Sequence, residues 1–149
     1  MSRDSHEPQQ VTPATRQIRL ARRIWLQDGA TPVFGVGIRE LLIRVEATGS
    51  LHMAAAEMGL AYSKAWRIVG RAEEHLGFPL MTRHAGGTRG GGSALSMEGR
   101  RLVDAFGRVL EDADAMLDEL AATHLDGVIS GGLMLRARTP SPESGGFET

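Results

Sequence analysis

The apolar positions of the chain change period three times, and the changes mark out its elements. From Ile18 the pattern alternates: Ile18, Leu20, Ile24 and Leu26 share one face, with Arg22 interrupting. That is the period of a strand. Asp28-Gly29 follows, a pair suited to a hairpin turn because both central residues of a I′ turn need positive φ, and "TPVFG" reads as the return strand. The period then lengthens. In "GIRELLIRVEATGS", Ile38, Leu41, Leu42 and Val45 stand at i, i+3, i+4 and i+7, one apolar helix face closed at Gly49. "HMAAAEMG" predicts a short alanine-rich helix closed at Gly59. "LAYSKAWRIVGRAEEHLG" predicts a third, closed at Gly77, with Ala65, Val69, Ala72 and Leu76 turned to the core.

Two short strands, "FPLMTRH" and "SALS", flank the glycine run "GGTRGGG", and together they predict a hairpin from about Thr82 to Ser96. A fourth helix begins after Ser96, a favourable N-cap, with Glu98 in the first turn where the helix dipole suits a carboxylate. It is expected to run to about His124. Val103, Phe106, Leu110, Ala113, Leu117 and Leu120 keep a 3,4,3,4,3 spacing. Leu102, Phe106, Val109, Ala113, Met116 and Leu120 keep a 4,3,4,3,4 spacing. Two adjacent heptad seams make a stripe wider than that of a simple coiled coil, enough to cover a domain on one side and meet a partner on the other. Residues 1–15 and most of 125–149 are polar or rich in Gly, Pro and Ser, and are expected to be disordered. The apolar fragment "VISGGLML" within the tail has no assigned role.

A short helix, a glycine-bearing turn and a helix with a polar outer face make the helix-turn-helix pattern. With Tyr62 set at 0° and 100° per residue, Ala65, Val69, Ala72 and Leu76 fall between about 280° and 340°. Ser63, Lys64, Arg67, Arg71 and Glu74 fall between about 100° and 200°. The outward arc thus carries three cations and a hydroxyl, biased to the N-terminal half, the part of a recognition helix that meets base edges in the major groove. Tyr62 and Trp66 border that arc. Trp66 is expected chiefly as core packing, because an indole is mostly apolar surface.

These residues resemble a known family. "FGVGIRELLIRVEATGSLHMAAAEMGLAYSKAW" and "GFPLMTRHAGGTRGGGSALSMEG" are similar to the N-terminal winged helix-turn-helix domain of ModE-type molybdate-responsive transcription regulators, and more distantly to LysR-type regulators. The resemblance is carried by "GS" followed by "AA", by "YSKAW", and by the spaced glycines leading into "S-x-E-G". The upstream "IRLARRIWLQDG" is similar to the short strands that precede the domain. The fold implied is mostly α: a winged helix-turn-helix with a short N-terminal β-hairpin, a Gly-rich wing and a long C-terminal dimerisation helix. The domain would cover 16–96 and the dimerisation helix 97–124. A homodimer binding double-stranded DNA is implied, with Tyr62, Ser63, Lys64, Arg67 and Arg71 at or near the major groove. The wing would add Arg83, Gly87, Arg89 and Gly91. The dimer contact would fall on Leu102, Val103, Phe106, Val109, Leu110, Ala113, Met116, Leu117 and Leu120.

The resemblance also has departures. Ala61 stands where a capping serine is common, and His52 where serine is common in the second helix. A lost cap costs about 0.5–2 kcal/mol, so both helix starts are expected to be slightly weak. Only 25 residues follow His124, too few for the oxyanion-binding domains of the family. Molybdate sensing is implied by resemblance alone, with no residue to carry it.

Charge sharpens this picture. The net charge is −1, but residues 1–110 hold 15 Lys/Arg against 10 Asp/Glu while residues 111–149 hold 2 against 8. A basic working region and an acidic end suit a nucleic-acid partner. The chain has no cysteine, so neither a thiolate metal site nor a thiol nucleophile is available. No apolar run reaches the ~18 residues of a membrane helix. With no signal peptide visible at the N-terminus, a cytoplasmic, nucleoid-associated protein is expected.

The competing readings are weaker. Gly87 and Gly92 have the span of a phosphate loop, but Ser93 follows where such a loop needs lysine. The five histidines lack metal-ligand spacing, and no cofactor, metal site or catalytic set is expected. The remaining alternative is a helix-turn-helix module that dimerises or docks on a partner without binding DNA.

Overall fold

The structure is a computed structural model of the 149-residue chain, described here over residues 18–84 and 92–129. Its elements are β1 (Trp25–Asp28), β2 (Thr31–Gly35), α1 (Val36–Thr48), α2 (Leu51–Glu57), α3 (Tyr62–Leu76), β3 (Met81–His84), β4 (Gly92–Leu95) and α4 (Met97–His124). This is the mostly helical winged arrangement expected, with both hairpins in place. The described residues fall into two compact units. One is Arg22–Asp114, and the other comprises the described parts of Met1–Ala21 and Ala115–Thr149. In the latter, Ala121 is buried and its carbonyl accepts from the Leu125 amide at 2.9 Å.

The first strand is shorter than its alternation predicts. β1 is confined to Trp25–Asp28, and Ile18 contributes only an isolated bridge. Arg22, the residue that breaks the alternation, is committed elsewhere. Its Nη2 donates to the Leu110 carbonyl at 2.7 Å and its Nε lies 2.8 Å from the Asp114 carboxylate. The chain here serves α4 rather than a sheet. The turn also differs in register. Asp28 pairs with Thr31, so Gly29 and Ala30 are its central residues. Among the described residues only glycines have positive φ, and Gly29 stands at +58°. Positive φ at the first central position alone is the requirement of a II′ turn, not of I′.

The core of the first unit draws on every element but β1, whose residues are all exposed: Val33 and Phe34, Leu41, Leu42 and Val45, Leu51, Ala54 and Ala55, Ala65, Val69 and Ala72, Leu80, Met81 and Leu95, then Val103 and Phe106. The helical period seen in the sequence selects the positions on α1 and α3, whereas Val33 and Phe34 are neighbours in β2 and both are buried. The Phe34 and Phe106 rings meet edge to face at 5.3 Å, joining the first hairpin to α4. An edge-to-face pair adds about 0.5–1.5 kcal/mol beyond its buried area. From α1, the Arg39 Nε donates to the Val103 carbonyl at 3.0 Å. Gly107 leaves room for that guanidinium, since a Cβ there would collide with it.

The helix ends correct one expectation and support another. α2 starts at Ser50, whose Oγ accepts from the Met53 amide at 3.2 Å, so His52 costs it no cap. α3 begins at Ala61 with no side-chain cap. α4 begins as expected at Ser96, whose buried Oγ accepts from Gly99 N–H at 2.9 Å and donates to the Pro79 carbonyl. A Cβ at Gly99 would run into the Leu80 backbone, so only glycine allows α4 to start this close to β3.

Candidate nucleic-acid interface

α2 and α3 are joined by a turn at Met58–Ala61, with Gly59 at φ +67° and the Leu60 amide donating to the Ala55 carbonyl at 2.9 Å. Ala65, Val69 and Ala72 anchor α3 on the core. Its opposite face is free of that packing. Ser63, Lys64, Arg67, Arg71 and Glu74 are all exposed, as the helical wheel predicts. Among the described residues, no ion pair within 4.0 Å engages Lys64, Arg67 or Arg71. Arg22, Arg44 and Arg100, by contrast, each hold a carboxylate. Tyr62 is 42% exposed at the N-terminal end of α3, its ring 5.6 Å from that of His52 on α2.

The wing is fastened to α3 at two points. The Glu73 Oε1 accepts from the Leu80 and Met81 amides at 2.8 and 3.2 Å, holding the start of β3. Farther out, the Arg83 guanidinium lies over the Trp66 ring, 3.0 Å from its centre. Trp66 is therefore no part of the apolar core, contrary to its expected role. It is half-buried, and its ring forms a platform for a wing cation. β4 is tied in from the other side, the Ser93 amide donating to the Gly49 carbonyl at 2.8 Å. The strands pair from Met81↔Leu95 to His84↔Gly92. Gly87, Arg89 and Gly91, expected at the wing tip, lie outside the described residues.

On the flank of α3 away from the wing, β2 and α1 form a wall. Pro32, Val33 and Ile38 face Lys64, Arg67, Ile68, Arg71 and Ala72 across a groove of about 420 Å³. The sequence pattern did not reveal this groove, Glu73 as the tether of the wing, or Trp66 as a platform. Each joins residues that no single period relates.

The residues expected in the dimer contact divide by burial. Val103 and Phe106 are buried in the core, with Leu102 and Leu110 packed against it. Ala113 and Leu117 are half-buried. Val109, Met116 and Leu120 are 50%, 62% and 45% exposed. Only these last three present large apolar side chains to solvent.

Comparison with known proteins agrees with this geometry. Residues 39–100 match the family described as bacterial regulatory helix-turn-helix protein, lysR family. The chain is 39% identical over 69 residues to the molybdenum-pterin-binding protein MopB of Rhodobacter capsulatus, covering 46% of this chain and 26% of that protein. It is 34% identical over 102 residues to the molybdenum transport protein ModE of Azotobacter vinelandii, covering 68% and 37%. It is 27% identical over 81 residues to the DNA-binding transcriptional dual regulator ModE of Escherichia coli K12, covering 54% and 31%. The chain therefore spans between about a quarter and somewhat over a third of the length of these relatives. α2, the turn, α3 and the β3–β4 wing all lie inside the matched segment, so residues 39–100 are a helix-turn-helix region that matches the bacterial regulatory lysR family and is similar in sequence to the ModE and Mop proteins.

Proposed function

We propose that this chain is a sequence-specific, DNA-binding transcription regulator that acts as a homodimer. The observation that carries the reading is the exposed row Ser63, Lys64, Arg67 and Arg71 on a core-anchored helix within a lysR-type domain. An anchored helix with a cationic outer face fits the major groove, which admits one helix. Ser63, Lys64 and Arg67 stand in its N-terminal half, the part that reaches base edges. Arg83, seated on Trp66, meets the phosphate backbone from the wing, and Gly87, Arg89 and Gly91 extend that contact. The homodimer forms through the exposed stripe of α4, Val109, Met116 and Leu120, with Ala113 and Leu117 between them. A two-fold dimer then sets half-sites about 34 Å apart or a multiple of it. Molybdenum appears in the names of relatives, and no residue of this chain is assigned to it.

The test is an electrophoretic titration with duplex DNA over a salt series. Neutralised phosphates release counterions, so log affinity is expected to fall linearly with log salt, by about 0.9 per phosphate. A flat response would overturn the proposal.

A further inference from the structure

The groove beside α3 has two unlike sides. Lys64, Arg67 and Arg71 give it a cationic lip, while Pro32, Val33, Ile38 and Ile68 give it an apolar wall. On the helical wheel Lys64, Arg71 and Ile68 fall at about 180–240°, whereas Ser63 and Trp66 fall at about 40–100°. The groove thus opens on the hairpin flank of the recognition helix, opposite the side on which Arg83 lies. Its volume of about 420 Å³ is in the range of sites for small molecules, ~300–1,000 Å³, and its make-up matches theirs: mostly apolar lining with a few convergent polar groups. A bare phosphate or other small oxyanion would satisfy the cations and leave the wall wet. A neutral apolar body would fill the wall and leave the cations unpaired.

We propose that this groove binds a small amphipathic anion, a carboxylate on an aromatic or branched apolar body, and that its occupancy opposes DNA binding. The carboxylate pairs with Arg67 and Arg71, for which a planar bidentate contact is available. The apolar body lies against Val33, Ile38 and Ile68. The same cations serve the duplex in the reading above, so ligand and DNA compete, and this second half of the inference rests on that reading. Competition for shared groups makes the effect mutual: the duplex lowers the apparent affinity for the small anion just as the anion lowers that for the duplex.

The test uses three probes on the full chain: 2-naphthoate, its neutral amide, and inorganic phosphate. Binding is followed by NMR of the arginine Nε–H groups and the isoleucine methyls, with no DNA present. 2-Naphthoate is expected to bind saturably with half-saturation near 1 mM, the affinity that about thirteen heavy atoms support at ordinary ligand efficiency. Its shifts are expected on Arg67, Arg71, Ile38 and Ile68, with the amide and phosphate at least about tenfold weaker. Arg71→Gln and Ile68→Gln should each weaken 2-naphthoate severalfold while the folded spectrum persists. Equal binding by phosphate would reduce the groove to a charged surface, and no saturable binding would remove the site. In a separate titration, 2-naphthoate should weaken binding to a mixed-sequence duplex at low salt. If the probe binds and the duplex never does, the site stands and the DNA reading fails. If both bind without competing, the regulatory half of the inference fails.

Discussion

The guanidinium of Arg83 lies 3.0 Å from the centre of the Trp66 ring, so the outward part of the wing is held against the flank of α3 by a cation–π contact. With Glu73 holding the base of β3, the wing and α3 are positioned together. Replacing Arg83 with Met keeps much of the side-chain bulk and removes the charge. We expect a stability loss of about 0.5–1 kcal/mol, the value of such a contact at a partly exposed site. Urea denaturation followed by the fluorescence of Trp66, in a background with Trp25→Phe, measures it. An unchanged midpoint and emission spectrum would show that the stack carries no energy.

Arg67→Ala and Lys64→Ala are expected to weaken the preferred duplex by about 1–3 kcal/mol and to relax selectivity at one base position. Binding to a panel of single-base variants separates the two roles. Uniform weakening across the panel would assign the residue to phosphate rather than to a base.

Ser96 supports the start of α4 and the path of β3 through one buried hydroxyl. Ser96→Ala removes a cap and leaves the Pro79 carbonyl short of a donor, so a loss of about 1–3 kcal/mol is expected. Gly99→Ala should cost more, because its new methyl meets backbone that has no flexible side chain to yield. Thermal unfolding of the two variants tests the order. If Gly99→Ala were the milder change, α4 would not be packed so tightly on Leu80.

Arg22 joins the segment before β1 to α4 through the Leu110 carbonyl and Asp114. Arg22→Ala is expected to destabilise the chain by about 1.5–3 kcal/mol, the scale of a hydrogen bond involving a charged group. Hydrogen exchange should then rise first at residues 22–24. Exchange unchanged there would show that the segment is held by other contacts.

Met116→Glu places a charge in the exposed stripe of α4 without touching the core. The helix should persist by circular dichroism while the dimer dissociates, seen as a halved mass in light scattering at micromolar concentration. Val109→Glu should act alike. A wild-type chain that is already monomeric, with and without DNA, would refute dimerisation through α4.

Much of the fold was legible in the sequence because its signals are local. The i, i+3, i+4, i+7 series of Ile38, Leu41, Leu42 and Val45 marks one face of α1 whatever that face meets, and Ser96 announces a cap by its own chemistry. The outward row on α3 follows from the same periodicity, since fixing Ala65, Val69 and Ala72 inward turns Lys64, Arg67 and Arg71 outward. Legibility failed where a residue was drawn away by a distant partner. The alternation from Ile18 suggested a long strand, but Arg22 is engaged by α4, 88 residues further along. The bulk of Trp66 suggested the core, but Arg83 supplies a cation to its face.

The sequence by itself determined which faces are apolar, where each helix stops, and that three cations share one side of a helix-turn-helix. Backbone period and side-chain chemistry are enough for that. Only the tertiary structure decided which faces meet. It put Val103 and Phe106 in the core and left Val109, Met116 and Leu120 exposed, although all five lie on the same broad stripe. It also set the β2 wall opposite the α3 cations to make a groove. The physical reason is that burial is a property of contacts between elements, and an apolar stripe wider than its partner must leave part of itself uncovered.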